Sequence, residues 1–331
     1  MKALIPVAGA GTRLRPHTYT QPKPLIPVAG KPIIASIIDQ LVDFGIEEFV
    51  FVIGYLGDKI RNYIEKRYPH LSTEFVYQDE RMGLGHAIWV AKGTFEKCDD
   101  ILIVLGDTIF DADLSSIIKS EYSCLGVKKV DDPREFGVVV LDDEGYIKQV
   151  VEKPRIPKSN MAIVGIYKIN EVPAFINALQ YIIDNNIRTV DEFQLTDALM
   201  QMVATGSRFT VCPIENWFDC GKKDILLETN AMLLKRRSTE GQVVEQFVNT
   251  IVIQPVSIGQ NCKISNSIIG PNVSIGDHST LDYAIVRNSI IGNYSSIEEA
   301  VLHRSIIGSD ASIKGLSQSL NIGDNTEIDF S

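Results

Sequence analysis

A glycine-rich turn carries the first chemistry legible in this chain. Ala8-Gly9-Ala10-Gly11-Thr12-Arg13-Leu14 directly follows the apolar run Ala3–Val7. Glycines at the end of a strand let backbone N–H groups approach phosphate oxygens, because no Cβ stands in the way. Arg13 adds a planar cationic fork that matches phosphate. A dinucleotide fingerprint needs a third glycine where Leu14 stands, and a Walker A loop needs a Gly-Lys-Ser/Thr that does not follow. The turn suits phosphate yet belongs to neither class, and a plain strand–turn fits this fragment equally well.

The residues beyond it narrow the choice. Arg13-Leu14-Arg15-Pro16 leads to Pro22-Lys23-Pro24-Leu25-Ile26-Pro27-Val28 and then Gly30-Lys31-Pro32. Prolines this dense argue against helix and for an extended, rigid, lid-like loop. Later stand Gly83-Leu84-Gly85-His86-Ala87, Leu105-Gly106-Asp107, Phe136-Gly137-Val138, Glu152-Lys153-Pro154, Ser159-Asn160, Val164-Gly165-Ile166-Tyr167 and Trp217-Phe218-Asp219-Cys220-Gly221. In this order the string resembles the signature of the sugar nucleotidyltransferases (sugar-nucleotide pyrophosphorylases). With the tail included, the chain resembles, over essentially its whole length, the long form of the glucose-1-phosphate thymidylyltransferases.

The resemblance implies attack of a sugar-1-phosphate oxygen on the α-phosphorus of a nucleoside triphosphate, dTTP or UTP, with loss of pyrophosphate. It implies that Ala8, Gly9, Gly11, Thr12, Gln78, Gly83 and His86 bind the nucleotide. Arg13 and Lys23 would neutralise the triphosphate, and Lys153 would hold the sugar phosphate. Glu152 would accept hydrogen bonds from the sugar, with Gly137 and Val164 forming its wall. Asp107 and Asp219 would hold Mg²⁺, which takes oxygen ligands and often only one or two carboxylates besides phosphates and water. The nucleophile is already an ionised phosphate, so no general base is required, and no Ser–His–Asp or paired-His pattern stands in the chain. Singly, each residue has a plainer role: Asp107 or Asp219 could cap a turn, and Lys23 could be a solvated surface lysine.

The chain departs from the family pattern at Ala8, where a glycine is common, and at His86, where short thymidylyltransferases carry Gln. Ala8 and Asp219-Cys220-Gly221 are similar to bacterial uridylyltransferases, whereas Gly221-Lys222-Lys223-Asp224-Ile225-Leu226 is similar to the long thymidylyltransferases. Thymine and uracil differ by one methyl, which a pocket rewards by about 1–3 kcal/mol, so use of both dTTP and UTP is expected. A uridylyltransferase acting on another sugar-1-phosphate and a non-catalytic sugar-nucleotide-binding homologue are the alternatives. An acyltransferase built on the tail ranks below them.

These residues need elements to position them. Ala3–Val7, Glu48–Ile53, Phe75–Tyr77 and Ile101–Leu105 read as buried strands. Lys31–Phe44, Asp58–Tyr68 and Gly85–Ala91 read as helices, the first with Pro32 in its first turn and Gly45 at its C-terminal end. Such alternation predicts an α/β fold, a Rossmann-like, mostly parallel sheet with helices on both faces. Ligands bind such sheets beyond the carboxyl ends of the strands, where Gly9 and Asp107 fall. Asp224–Arg237 reads as a connecting helix.

The tail obeys a different period. Ile258, Ile275, Ile291, Ile307 and Ile322, each followed by Gly, are 17, 16, 16 and 15 residues apart, and an apolar residue returns every five or six positions between them. This hexapeptide pattern predicts a C-terminal β-helix, left-handed by the family resemblance. The expected domains are 1–240, catalytic, and 241–331, a β-helix that stabilises the fold and assembles a homo-oligomer.

With 331 residues, 45% hydrophobic and 22% charged, the chain is an ordinary globular one. Its formal net charge of −10 argues against nucleic-acid partners. No apolar run is long enough for a membrane span, and the N-terminus does not read as a signal peptide. Five scattered cysteines form no C-x-x-C pair, as expected of free thiols in the cytoplasm. His17, His70, His278 and His303 show no partner pattern and are read as structural.

Overall fold

A computed structural model describes residues 1–111, 113–237, 247–315 and 319–329. The expected domain boundary at 240/241 lies outside them. The chain divides into two compact units, Met1–Gly9 with Ile37–Trp217, and Ala10–Ser36 with Phe218–Ser331.

In the first unit nine strands form one sheet. Lys2–Val7 lies at its centre, parallel to Glu48–Ile53 on one side and Ile101–Val104 on the other, and Ser72–Tyr77 continues the parallel run beyond Glu48–Ile53. Met161–Ile169 then runs antiparallel to Ile101–Val104 and joins Gly137–Leu141 and Ser123–Lys129 to the sheet. Ile147–Glu152 pairs antiparallel with Gly137–Leu141, and Phe209–Pro213 parallel with Ser123–Lys129. Successive strand residues point to opposite faces, and here both faces are sealed. Leu4, Val50, Val52, Ile101 and Ile103 pack in one cluster with Ile88, Phe175, Leu179, Leu199 and Met202. Ala3, Ile5, Phe49 and Phe51, which alternate with them, are also buried, as are Ile37, Ile38, Leu41, Ile60 and Ile64 of the helices Ile33–Asp43 and Gly57–Arg67. This is the burial of parallel strands covered on both sides. The first helix ends as expected: Gly45 adopts φ 83°, its N–H bonds Val42 O and that of Ile46 bonds Leu41 O, the paired bonds of a Schellman cap. It begins later than expected, at Ile33, because Lys31–Pro32 pairs with Pro27–Val28.

The second unit contains the helix Lys223–Arg237 and a three-sided parallel β-helix. Ile258 pairs with Ile275, Ile275 with Ile291, Ile291 with Ile307 and Ile307 with Ile322, so the spacing read from the sequence is the register of one sheet. Corners are turned by residues at positive φ, among them Asn249, Asn266, Asn272 and Asn288, a conformation that asparagine tolerates better than most residues. A buried serine column lies inside. Ser267 accepts the N–H of Ala284, Ser289 that of Ser305, and Ser305 that of Leu320. Each of these hydroxyls donates to a carbonyl two residues back, so no hydroxyl of the column lacks a partner. Of the histidines read as structural, His278 stacks on Tyr294, His303 meets Asn288, His70 packs edgewise on Tyr68, and His17 bonds Asn321.

No helix among the described residues is long and apolar enough to cross a membrane.

Candidate active site

The order in which strands are laid down places a crevice. After Lys2–Val7 the chain adds Glu48–Ile53 and Ser72–Tyr77 on one side, then reverses and adds Ile101–Val104 on the other. Ligands of open α/β sheets bind beyond the carboxyl ends of the strands at such a reversal. Ala8 and Gly9 leave the first strand there, Gln78 leaves Ser72–Tyr77, and Gly106-Asp107 leaves Ile101–Val104. Strand approach leaves room for nothing but hydrogen at Gly106, where a Cβ would lie 2.1 Å from Val7 Cγ1. The antiparallel strands deliver to the same edge. Leu105 N–H donates to Gly165 O, and Gly137 pairs with Glu152 beside Ala162.

Gln78, Gly83 and His86 form one hydrogen-bonded group. The Gln78 amide N–H donates to Gly83 O and to His86 Nδ1, both at 3.1 Å. An Nδ1 that accepts is unprotonated, so the neutral ring carries its proton on Nε2. Burial pushes the His86 pKa down, with Glu80 opposing weakly, which favours that neutral ring. Gly83 has φ 104°, and a Cβ there would fall 2.6 Å from Phe193 O, so glycine is required on both counts. The segment 82–85 is tied to Phe193, which accepts from Gly85 N–H and donates to Met82 O, both at 2.8 Å.

Glu152 and Lys153 lie at the end of the strand Ile147–Glu152. Burial pushes the Glu152 carboxyl pKa up, against the pull of Lys153 and a hydrogen bond from Thr196. The Thr196 hydroxyl donates to Glu152 Oε2 at 3.2 Å, and Lys153 Nζ lies 3.8 Å from Oε1. A Cβ on Gly137 would lie 3.1 Å from Thr196 Cγ2 and 3.2 Å from Glu152 Oε2. Val164 is buried. Trp217, which precedes the Phe218-Asp219 pair, packs edgewise on Phe136 at 4.8 Å between centroids.

In the second unit, the segment Ala10–Ser36 carries Gly11, Thr12, Arg13 and Lys23. It is not the extended loop expected from its prolines. Thr12–Leu14, His17–Tyr19 and Lys23–Leu25 are 3₁₀ turns, and Pro27–Val28 with Lys31–Pro32 makes a small hairpin. Proline's fixed φ suits the first positions of a tight turn as well as extended chain, and Leu25 N–H bonds Pro22 O across Pro24. Arg13 is exposed. Lys23 is 8% exposed, and its Nζ lies 3.6 Å from Asp219 Oδ1. That oxygen also accepts the N–H of Gly221 at 3.0 Å.

The structure thus gathers the predicted residues into three groups: Gln78–Gly83–His86, Gly137–Glu152–Lys153, and Lys23–Asp219. Asp107 stands at the end of its strand, with the Thr108 hydroxyl 3.4 Å from its Oδ1. Among the described residues no set of three or more His, Cys, Asp or Glu side chains could cage a metal. Asp107 and Asp219 each offer carboxylate oxygens, the kind of ligand that Mg²⁺ takes. Sequence reasoning missed Thr196 and the main chain of Phe193, because each serves a residue more than forty positions away and carries no motif of its own.

The model of the nucleotidyl transferase family matches residues 2–236. The chain belongs to that family. Among its relatives, the bifunctional protein GlmU of Methanocaldococcus jannaschii is 36% identical over 250 residues, covering 75% of this chain but only 58% of that protein. The glucose-1-phosphate thymidylyltransferase of Streptomyces antibioticus is 30% identical over 302 residues, 84% of this chain and 83% of the relative. A crystal structure of UDP-glucose pyrophosphorylase complexed with UDP-glucose superposes with a TM-score of 0.61 at 26% identity, over 71% of this chain and 99% of that one. The family match includes the residues of all three groups.

Proposed function

We propose that the protein transfers a nucleotidyl group from dTTP or UTP to glucose-1-phosphate in the presence of Mg²⁺, releasing pyrophosphate. The observation that carries this reading is that the strand end Ala8-Gly9, the Gln78–Gly83–His86 group, the buried Glu152 with its neighbour Lys153, and Asp107 all fall at one edge of the sheet. In the reaction a sugar-phosphate oxygen bonds to the α-phosphorus while the bond to the bridging oxygen of the β-phosphate breaks. Two polyanions must be held in line, and positioning alone can supply about 7–11 kcal/mol. The turn from Ala8 to Thr12 offers main-chain N–H groups to the triphosphate, with Arg13 and Lys23 adding charge. Gln78 and His86 read the base edge. Glu152 orients the sugar through its hydroxyls, and Lys153 holds the sugar phosphate. Mg²⁺ held by Asp107 and Asp219 would neutralise charge that develops on the phosphates.

The relatives' names favour both bases, thymine through the thymidylyltransferase and uracil through the pyrophosphorylase complex, which agrees with the small energetic weight of one methyl. The β-helix serves assembly of a homo-oligomer in this reading. The test is pyrophosphate release with Mg²⁺ and glucose-1-phosphate, run with dTTP, UTP, ATP, GTP and CTP in parallel. Release with dTTP or UTP, lost in Asp107→Ala, is the expected result. Silence with all five, repeated with galactose-, mannose- and N-acetylglucosamine-1-phosphate, would overturn the reading in favour of a binding homologue.

A further inference from the structure

The segment that carries Gly11, Arg13 and Lys23 buries Leu14, Leu25, Ile26, Val28 and Ala29. Its internal main-chain bonds are short-range turns and a two-residue hairpin. Three side-chain clamps reaching in from the β-helix and the helix Lys223–Arg237 add to this hold. His17, 5% exposed, bonds Asn321 Oδ1 through Nε2. The Thr20 hydroxyl donates to Asp324, whose other carboxylate oxygen accepts Ser309 N–H at 2.8 Å and is thereby fixed to the coil beneath. Asn230, fully buried, accepts Ala29 N–H at 2.9 Å and the Ser274 hydroxyl at 2.6 Å on Oδ1, while Nδ2 donates to Asn272 O at 3.1 Å. The backbone of Gly323 also lies against Pro16, where a Cβ would fall 3.2 Å from Pro16 O.

Asn321 and Asp324 belong to the last described coil, Asn272 and Ser274 to a coil near the start. The segment is therefore pinned at residues 17, 20 and 29, and Lys23 lies between two pins. The turn that precedes Arg13 is tied to the first through the Thr18 hydroxyl, which donates to Gly11 O at 2.9 Å. We infer that Asn321, Asp324, Thr20 and Asn230 are positioning residues for the triphosphate: the β-helix holds the segment bearing Arg13 and Lys23 in the conformation that binds phosphate. This rests on the reading of that segment given under Proposed function. Groups that bind a polyanion must be held before it arrives, or the ordering cost is taken from affinity and rate.

The test uses the full-length chain with Thr20→Val, which removes the donor at nearly constant volume, Thr20→Ser, which keeps it, Asp324→Ala, and the double variant Thr20→Val/Asp324→Ala. Loss of a hydrogen bond to a charged group should lower kcat/KM for the nucleotide by about tenfold, with KM for glucose-1-phosphate within about twofold of wild type. Thr20→Ser should recover most of the loss, and the loss in the double variant should fall short of the sum of the two single losses, since both remove the Thr20–Asp324 contact. A second readout needs no turnover. Within residues 10–32, Arg13–Leu14 is the one tryptic bond not followed by proline, as Arg15, Lys23 and Lys31 each precede one. Cleavage there, followed by mass spectrometry, should accelerate in Thr20→Val and return to the wild-type rate in Thr20→Ser. Wild-type nucleotide kinetics in the double variant, or equal losses toward both substrates with unchanged cleavage, would overturn the inference. A wild-type protein inactive with every nucleotide and sugar phosphate overturns the proposed function instead, and the cleavage rates then decide the clamp.

Discussion

Lys23 Nζ lies 3.6 Å from Asp219 Oδ1, and 196 residues separate the two in the chain. The lysine is buried, and the carboxylate oxygen is shared with the N–H of Gly221. A buried cation needs an anion beside it, and in the proposed reaction the triphosphate is the stronger anion. Lys23→Met, which keeps the stem and removes the charge, should lower kcat/KM for the nucleotide by about 10²–10³-fold, the usual loss when one preorganised donor is deleted. Circular dichroism should show the fold intact. Steady-state kinetics retaining more than a third of wild-type kcat/KM would remove Lys23 from the triphosphate site.

Gln78 and His86 make a second prediction, about pH. The Gln78 amide donates to Nδ1 of His86, which is possible only while the ring is neutral. Burial lowers the His86 pKa below its ordinary value of 6.5, so the ring stays neutral at and above that pH and gains a proton only under more acid conditions. The protonated ring would present N–H to N–H and disrupt the group around Gly83. The pH profile of kcat/KM for the nucleotide should therefore have an acid limb below about pH 6.5 that is absent from the KM of the sugar phosphate. Gln78→Leu should abolish that limb and weaken discrimination of uracil or thymine from cytosine by about 10–100-fold. An unchanged profile in Gln78→Leu would show that the pair does not read the base.

Much of this was readable from residues alone, and the reasons differ by element. The β-helix register was legible because each coil repeats one apolar corner, and the Ile258-to-Ile322 spacing counts coils directly. The strand ends bearing Gly9 and Asp107 were legible because a buried strand is an apolar run that stops where the crevice begins. The 3₁₀ turns between Thr12 and Leu25 were not, since proline's φ serves extended chain and tight turn alike. Nor were the partners of His17, Thr20 and Ala29, which lie 304, 304 and 201 residues away. A side chain whose only signal is a distant partner has no local pattern to read.

Glu152 is held at a cost to the fold. Its pKa is raised by burial, so the folded protein binds its proton more tightly than the unfolded chain does. The sign follows: stability from this group is full below the unfolded carboxylate pKa and is lost as pH rises through the raised folded value. At pH 7–8 the charged carboxylate destabilises, and Glu152→Gln should raise the thermal midpoint by about 1–3 °C. The same substitution should raise KM for the sugar phosphate by about tenfold or more, because in the proposed reaction an amide would replace the acceptor-only group that orients the sugar. Gly137→Ala should move KM the same way without the stability gain, since its Cβ would press within 3.2 Å of Glu152 Oε2. A drop in midpoint for Glu152→Gln, read by calorimetry at pH 8, would contradict the assignment of burial as the cause.

The glycine that follows each repeating isoleucine has a physical reason that spacing alone does not supply. A Cβ on Gly292 would lie 2.5 Å from Ser309 N and 2.7 Å from Gly308 O, which belong to the next coil. That coil cannot retreat, because Gly292 N–H already bonds Ile307 O at 2.9 Å and Gly308 N–H bonds Ile322 O at 2.8 Å in turn. Gly276 meets the same obstacle at Asn293 N, 2.6 Å away. Gly292→Ala should therefore cost about 1–3 kcal/mol, the range for overpacking a closely packed interior, and lower the midpoint of the β-helix by several degrees. Gly93→Ala is the control. Nothing lies within 4 Å of its Cβ position and its φ is not positive, so its midpoint should hold or rise slightly. Differential scanning calorimetry on both variants checks the pair, and a Gly292→Ala midpoint equal to that of wild type would mean that the coils are not packed backbone to backbone at this corner.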